Sequence, residues 1–281
     1  MKRLIADSGS TKADWRLIGH TSEISSFQTR GMNPFFRTSE DIFGELQEKI
    51  LPETGSDVDE IFFYGAGVVD QEKGNVLKNA FSRLFPRASV ETHSDVLGAS
   101  RALFGREAGI ACILGTGSNA CFYDGIQITK KVPPLGFILG DECSGAALGK
   151  KLLGDYFKQV MPPALRLLFE QEFSPDQLDI LNRVYRMERP NKYLAGFAPF
   201  LSAHMHEPYC VNMVEGSFRE FFDRNVLRLP EITGYPIGFA GSVAYHFRDI
   251  IISQTEAYGF SHPIILKEPI AGLLAYHKSQ H

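Results

Sequence analysis

No stretch of this chain approaches the roughly 20 apolar residues that a membrane-spanning helix requires. The apolar run near the N-terminus, Leu4-Ile5-Ala6, is too short for a secretory signal. Cysteine is sparse: Cys112, Cys121, Cys143 and Cys210 stand apart, with no C-x-x-C pair. That spacing argues against a disulfide or zinc framework and reads as buried thiols in a reducing compartment. Charge of one sign is lacking too. The 33 acidic and 29 basic residues leave a net charge of −4, so nothing supports a nucleic-acid or anionic-membrane surface. There is no low-complexity segment or flexible linker. The cytoplasm is the expected location, without nucleic-acid or membrane partners.

What is present suits a globular protein with a sizeable core. The chain has 281 residues, 44% of them hydrophobic, enough for two packed domains. Short apolar runs at Arg3–Ala6, Ala13–Ile18 and Glu23–Thr29 read as strands, the first two joined by the turn cluster Asp7–Lys12. Thr38–Ile50 has helical spacing, with Ser39 as the expected N-cap. Strands at Glu60–Tyr64 and Ala88–Thr92 alternate with helices at Gln71–Phe85 and Val96–Phe104, which predicts an α/β layer structure.

Near Glu107 the pattern restarts. The strand Ile110–Leu114 leads to the turn Gly115-Thr116-Gly117-Ser118, then to strands Asn119–Tyr123 and Ile126–Lys130 joined at Asp124-Gly125, a hairpin signal. This repeats the opening of the chain in architecture, though not in residues. It predicts two similar halves with a cleft between them, 1–107 and 108–281, with the C-terminal helix expected to pack back on the first half. A mostly helical insertion is expected over about 145–228, broken at Pro162-Pro163 and Pro190. A strand Tyr235–Phe239, a helix from Ser242, a strand Pro263–Leu266 and a helix Ala271–Lys278 complete the pattern.

Three turns could hold phosphate. Asp7-x-Gly9-x-Thr11 joins two strands, and a Gly/Ser/Thr hairpin can aim successive N–H groups and hydroxyls at an anion. Asp7 would then face the same phosphates through a hydrated Mg²⁺. The bland reading is a hairpin with a solvated Asp. Gly115–Ser118 projects from the carboxyl end of a strand, where ligands of open α/β sheets sit. Gly238–Val243 places glycines before a helix N-terminus, suited to phosphate or to tight packing.

Two rival motifs fail on context. Gly115-x-Gly117-x-x-Ala120 matches a dinucleotide fingerprint, but that motif opens a helix, whereas Asn119–Tyr123 reads as a strand. Gly145…Gly149-Lys150-Lys151 has one spacer too few for a P-loop and lacks the following Ser/Thr.

Carboxylates accompany these turns. Asp95 follows a strand and precedes a helix, so it is either an N-cap or a general base facing a ligand. Asp141, in Gly140-Asp141-Glu142, is a helix-start residue or an acceptor for sugar hydroxyls. Asn33, in Gly31-Met32-Asn33-Pro34, is a turn residue or an amide aimed at a hydroxyl or N-acetyl group. His204-x-His206-Glu207 has no further partner at zinc-like spacing. Phe35-Phe36 and Phe221-Phe222 read as core or interface aromatics.

Taken together, the set resembles a known family. Asp7-x-Gly-x-Thr11 resembles the first phosphate motif of the sugar kinase/Hsp70/actin superfamily, Gly115–Asn119 the second, and Gly238–Val243 the adenosine motif. The run Ile113–Asn119, with Gly136–Glu142 downstream, is similar to N-acetylglucosamine kinases of the BadF/BadG/BcrA/BcrD-type ATPase family. The likeness runs from residue 3 to about 277. It implies two ribonuclease-H-like, actin-like ATPase domains flanking a nucleotide and sugar cleft, with ATP and Mg²⁺ as cofactors and a small sugar as substrate.

By that resemblance, Asp7 anchors Mg²⁺ through water, and Gly9, Ser10 and Thr11 meet the β- and γ-phosphates. Gly115, Thr116 and Gly117 cradle the γ-phosphate, and Gly241 and Ser242 meet the α-phosphate and ribose. Asp95 acts as base on the sugar 6-hydroxyl, while Asn33, Asn119 and Asp141 position the sugar. Ser8 and Ser10 depart from the family, which often has glycine there. The implied reaction converts N-acetylglucosamine to its 6-phosphate. The alternatives are another sugar (N-acetylmuramate, glucosamine or glucose), an activator of a radical dehydratase, which the isolated cysteines argue against, and a non-catalytic sugar or nucleotide sensor. A homodimer is the commonest assembly for such a chain and is shared by the resemblance.

Overall fold

The computed structural model describes residues 1–9, 11–19, 23–229 and 234–279. The chain divides into two compact units. The first comprises Met1–Glu107, Gly125–Gln127 and Pro269–His281, and the second Ala108–Asp124 and Ile128–Glu268.

The first unit is built on five strands: β1 (Arg3–Ser8), β2 (Lys12–Ile18), β3 (Ile24–Arg30), β4 (Glu60–Gly65) and β5 (Ser89–Ser94). Their order is β3-β2-β1-β4-β5. The meander β1-β2-β3 is antiparallel, and β4 and β5 extend it in parallel on the other side of β1. Strand β1 is central, so nearly every residue in it is buried, on both faces of the sheet, with the apolar run Leu4–Ala6 at its middle. Strand β3 is an edge and mostly exposed. The core gathers around Trp15, whose ring lies 6.1 Å from Phe63 and 6.2 Å from Phe81.

The second unit repeats this plan with β6 (Gly109–Leu114), β7 (Ser118–Tyr123), β8 (Ile128–Lys131), β9 (Ile237–Ala240) and β10 (Ile264–Leu266). Its order is β10-β9-β6-β7-β8, with β6 in the place of β1. The expectation of two ribonuclease-H-like halves therefore holds. Between β8 and β9 the chain is mostly helical, and helices begin at Pro163 and Pro190, where proline fits the first turn. This unit's core is rich in phenylalanine, including fully buried Phe169, Phe200, Phe218, Phe221 and Phe222.

Several local readings are corrected. Thr38, not Ser39, caps the first helix. Its hydroxyl accepts the Asp41 N–H while the Asp41 carboxylate accepts the Thr38 N–H, a closed capping box that Ser39 could not form from inside the helix. Phe35 and Phe36 are more than half exposed, not core. The hairpin after β7 needs four connecting residues rather than two, and β8 starts at Ile128. The P-loop-like run belongs to the helix Gly145–Phe157. There Gly149 is bare so that the Leu194 carbonyl of the helix Pro190–Ala195 can approach; an added Cβ would sit 1.8 Å from it.

In the first unit, the C-terminal helix Ile270–Lys278 packs on the helix Asp95–Phe104 and on β1. Arg3 donates to the His277 carbonyl (2.6 Å), the Tyr64 hydroxyl meets His277 Nε2 (2.9 Å), and Arg101 donates to Tyr64 (2.7 Å). Burial, with Arg101 and Arg3 nearby, holds the His277 ring neutral, down to about 3. Burial likewise pushes the Tyr64 phenol up to about 12.

The Gly149 contact gives a direct test. Gly149→Ala should cost about 1–3 kcal/mol, since the backbone opposite cannot yield as a side chain would. Gly154→Ala, on the same helix with open space around it, should be neutral or gain up to about 1 kcal/mol. Thermal unfolding of the two variants checks this.

Candidate active site

The first unit carries the Asp7 turn, Asn33 and Asp95. Asp7 lies one residue before the end of β1, half-buried, in register with Asp14 on β2 and Tyr64 on β4. Gly9 and Thr11 are exposed in the turn that follows; Ser10 lies outside the described residues. Ser8, which the sequence marked only as a departure, has a structural role. Its buried hydroxyl accepts the Met32 N–H at 3.0 Å, and the Gly31 N–H donates to the Thr11 carbonyl at 3.0 Å. These bonds draw the Gly31–Pro34 loop to the turn. Asn33 is buried, and its Oδ1 accepts the Phe35 N–H (2.9 Å), the turn geometry that an Asn-Pro step favours.

Asp95 is not the N-cap. Ser94 caps the helix Asp95–Phe104, its hydroxyl accepting the Leu97 N–H at 3.3 Å. That frees the Asp95 carboxylate from the capping duty, leaving it a local bond from the Val96 N–H at 2.9 Å. Burial raises its pKa, and the backbone N–H groups of Val96 and of Asp95 itself partly oppose the rise. A carboxyl with raised affinity for a proton at a helix start is the kind of group that can serve as a base.

The second unit brings two glycine turns together at the end of β6. Gly241 has φ +123°, and an added Cβ there would lie 2.3 Å from the Leu114 carbonyl and 3.3 Å from Gly115 N. Only glycine fits both the backbone angle and the approach. The Gly241 N–H is tied to the Leu266 carbonyl (2.9 Å), fixing the turn to the end of β10. Ser242 opens the helix Ser242–His246 and is exposed. The Gly115 N–H bonds the Gly117 carbonyl (2.9 Å), and Gly115 and Thr116 accept the first N–H groups of the helix Gly145–Phe157, from Gly145 (2.8 Å) and Ala146 (3.2 Å). The turn carries no bulky side chain, and since its carbonyls are taken up by the helix Gly145–Phe157, its Thr116–Gly117 backbone and the helix start at Ser242 are the parts suited to an anion. Strand β7 follows this turn antiparallel to β6, which removes the dinucleotide-fold reading.

Asp141 and Asn119 join this group. Asp141 adopts a left-handed backbone (φ +55°), as does Cys143 (φ +58°), so two non-glycine residues of one tight turn are strained. The turn delivers the Asp141 carboxylate over Gly117 and onto the Ser118 N–H (3.2 Å). Burial raises the Asp141 pKa; the Ser118 bond opposes this, and the Glu142 carboxylate beside it adds to it. Asn119 and Asp141 line one recess together with Val132, Leu135 and Arg224. Within it the Asn119 amide oxygen is buried and has no hydrogen-bond partner among the described residues.

Sequence reasoning missed Glu142, Arg224 and Asn225. Glu142 accepts from Asn225 (3.1 Å) and pairs with Arg224 (3.1 Å), buttressing the strained turn. No spacing could have linked residues so far apart in the chain. The His204/His206 pair makes no site. His204 Nδ1 meets the Phe200 carbonyl (2.8 Å), and among the described residues no cluster of three metal-ligating side chains exists.

Comparison with known structures accords with these features. The chain is 42% identical to a Porphyromonas gingivalis protein provisionally described as an N-acetylglucosamine kinase, over 99% of each chain, with a TM-score of 0.93. It shares its fold with a Chromobacterium violaceum protein of the same provisional description, at 16% identity over 98% of each chain and a TM-score of 0.75. It also shares it with a ROK family glucokinase from Streptomyces griseus in complex with glucose and AMPPNP, at 17% identity over 99% of each chain and a TM-score of 0.57. No protein-family model matches the chain, and no curated protein does. At that level of identity over its whole length, the chain belongs to the N-acetylglucosamine kinase-like sugar kinases of the actin-like ATPase fold.

Proposed function

We propose that the chain transfers the γ-phosphoryl group of ATP to the 6-hydroxyl of an N-acetylhexosamine, with N-acetylglucosamine as the preferred acceptor. The observation that carries this reading is the convergence of the Gly115–Gly117 and Gly241 turns at the end of β6, beside the Asp141 carboxylate and the unpartnered Asn119 oxygen. The family likeness adds the acceptor class.

In this reading Thr116, Gly117 and Ser242 hold the nucleotide's phosphates by backbone N–H groups and hydroxyls, while Gly115 and Gly241, whose own N–H groups are bonded within the protein, keep the turn bare enough for the phosphates to approach. Gly9, Ser10 and Thr11 contribute from the first unit. The carboxylate of Asp7, at the end of a central strand, suits a hydrated Mg²⁺, which would neutralise phosphate charge. Asn33, Asn119 and Asp141 orient the sugar; the buried Asn119 oxygen suits a sugar hydroxyl or the acetamido N–H as donor. Asp95 accepts the proton of the attacking 6-hydroxyl. Its raised pKa matches that task, because a carboxylate that holds a proton more tightly is a stronger base. Phosphoryl transfer asks little covalent chemistry of the protein, so positioning carries most of the effect.

Arg224 keeps N-acetylmuramate in view as an acceptor, because it lines the recess. Its guanidinium is already held by Glu142 (3.1 Å) and Glu220 (3.3 Å), so a lactyl carboxylate would compete with both.

A coupled ADP-release assay should show turnover that depends on the added sugar, fastest with N-acetylglucosamine among N-acetylmuramate, glucosamine and glucose. Preference for another member of the panel would reassign the acceptor. Asp95→Asn should lower kcat by about 10²–10⁴-fold with little change in KM for the sugar; an unchanged kcat would remove Asp95 from the role.

The same variant makes an opposite prediction for stability. The raised pKa means that the folded state disfavours the ionised carboxyl. Its contribution is complete below the ordinary value of 3.8 and is lost as pH rises through the folded-state pKa. Asp95→Asn should therefore unfold at a higher temperature than the parent near pH 7. The gain should shrink as pH falls towards 3.8. Calorimetry at several pH values reads both.

A further inference from the structure

A groove of about 370 Å³ lies between the helices Gly145–Phe157 and Pro208–Arg224 of the second unit. It shares no lining residue with the recess of Asn119 and Asp141, and its volume is within the range of small-molecule sites. Lys151 and Asp155 line it from the first helix. Four residues apart, they stand on one face, yet each is held from the second helix. Lys151 donates to Glu220 (3.1 Å), and Asp155 accepts the Tyr209 hydroxyl through Oδ2 (2.7 Å). Burial, with the Asp155 carboxylate, raises the Tyr209 phenol, so it stays a donor. An ammonium has three donors and a carboxylate two oxygens. These bonds therefore leave Lys151 with donors to spare and Asp155 with Oδ1.

The second helix contributes open space and an unsatisfied group. Gly216 stands in its interior, where glycine is costly. No atom lies within 4 Å of where its Cβ would stand, so close packing does not require a glycine here. Ser217, next to it, also lines the groove. It is fully buried, and its hydroxyl has no hydrogen-bond partner among the described residues. A buried hydroxyl left without a partner is costly until something arrives to meet it. Met213 adds an apolar side.

We propose that this groove is a second ligand site and that it takes a free aliphatic α-amino acid. The ligand's ammonium meets Asp155 Oδ1, and its carboxylate meets Lys151, with the Ser217 hydroxyl as a further donor. Its side chain lies against Met213 in the space over Gly216. The charge pattern selects this class. A simple anion would face Asp155 and the Glu220 carboxylate already on Lys151, and a simple cation would face the Lys151 ammonium. A neutral sugar would leave the spare capacity of both charges unused. A zwitterion, with its two charges on one carbon, answers both, because they stand one helical turn apart.

Ligand-observed NMR titration of the full chain, without nucleotide or sugar, tests this apart from any kinase activity. L-leucine should bind. Leucinamide, which lacks the carboxylate, and isocaproate, which lacks the ammonium, should each bind about tenfold or more weakly, the loss of one charge-assisted bond. Lys151→Met and Asp155→Asn should weaken leucine binding by a similar factor. Gly216→Leu should abolish it by filling the groove, with an unfolding temperature no lower than the parent's, since leucine is the better helix former. Absence of leucine binding at millimolar concentrations, equal binding of all three compounds, or undiminished binding by Gly216→Leu would each overturn the proposal.

Discussion

The candidate site of the second unit depends on one close backbone approach: Gly241 laid against the end of β6. With 2.3 Å between an imagined Cβ and the Leu114 carbonyl, no side chain can stand there. The contact also fixes where Ser242 opens its helix relative to Gly115. The same strand end receives the first N–H groups of the helix Gly145–Phe157. A turn so bounded offers backbone dipoles with little steric cover, which is what a phosphate group needs from a protein. The parallel neighbours β9 and β10 set its position, so the arrangement follows from the topology as much as from the motif.

Each unit places a carboxylate in unfavourable surroundings. Asp141 sits in a turn with two left-handed residues and has its pKa raised mainly by burial. Asp95 is raised for the same reason, despite lying at a helix start where negative charge is welcome. Neither residue is placed where it would best stabilise the fold. Positions that give up stability in this way are commonly retained for chemistry. The supports are correspondingly firm. Ser94 takes over the cap, Arg224 and Asn225 brace Glu142, and the buried Tyr64–His277–Arg101 network anchors the helix that begins at Asp95.

Much of this was legible in the sequence because it is periodic or local. The repeated strand-turn-strand openings at residues 3 and 110 foretold two sheets of one plan, and nearly all strands lie within two residues of their expected limits. The glycine turns were visible as composition. What sequence could not supply was contact between distant segments. Nothing in Ser8 announces a bond to Met32, and nothing in Glu142 announces Asn225. Adjacent candidates of like chemistry were also beyond it. Thr38 against Ser39, and Ser94 against Asp95, are decided by which residue leaves the helix in an extended conformation. The exposure of Phe35 and Phe36 removes the core half of their reading, since loop aromatics can stay at the surface.

The destination of the phosphoryl group distinguishes a sugar kinase from an idle ATPase. Phosphorus NMR of the purified protein with magnesium, ATP and N-acetylglucosamine follows it directly. A new phosphomonoester resonance, coupled to the C6 protons of the sugar and growing in step with ADP, is the predicted result. ADP accompanied only by inorganic phosphate, at a rate indifferent to the sugar, would contradict it.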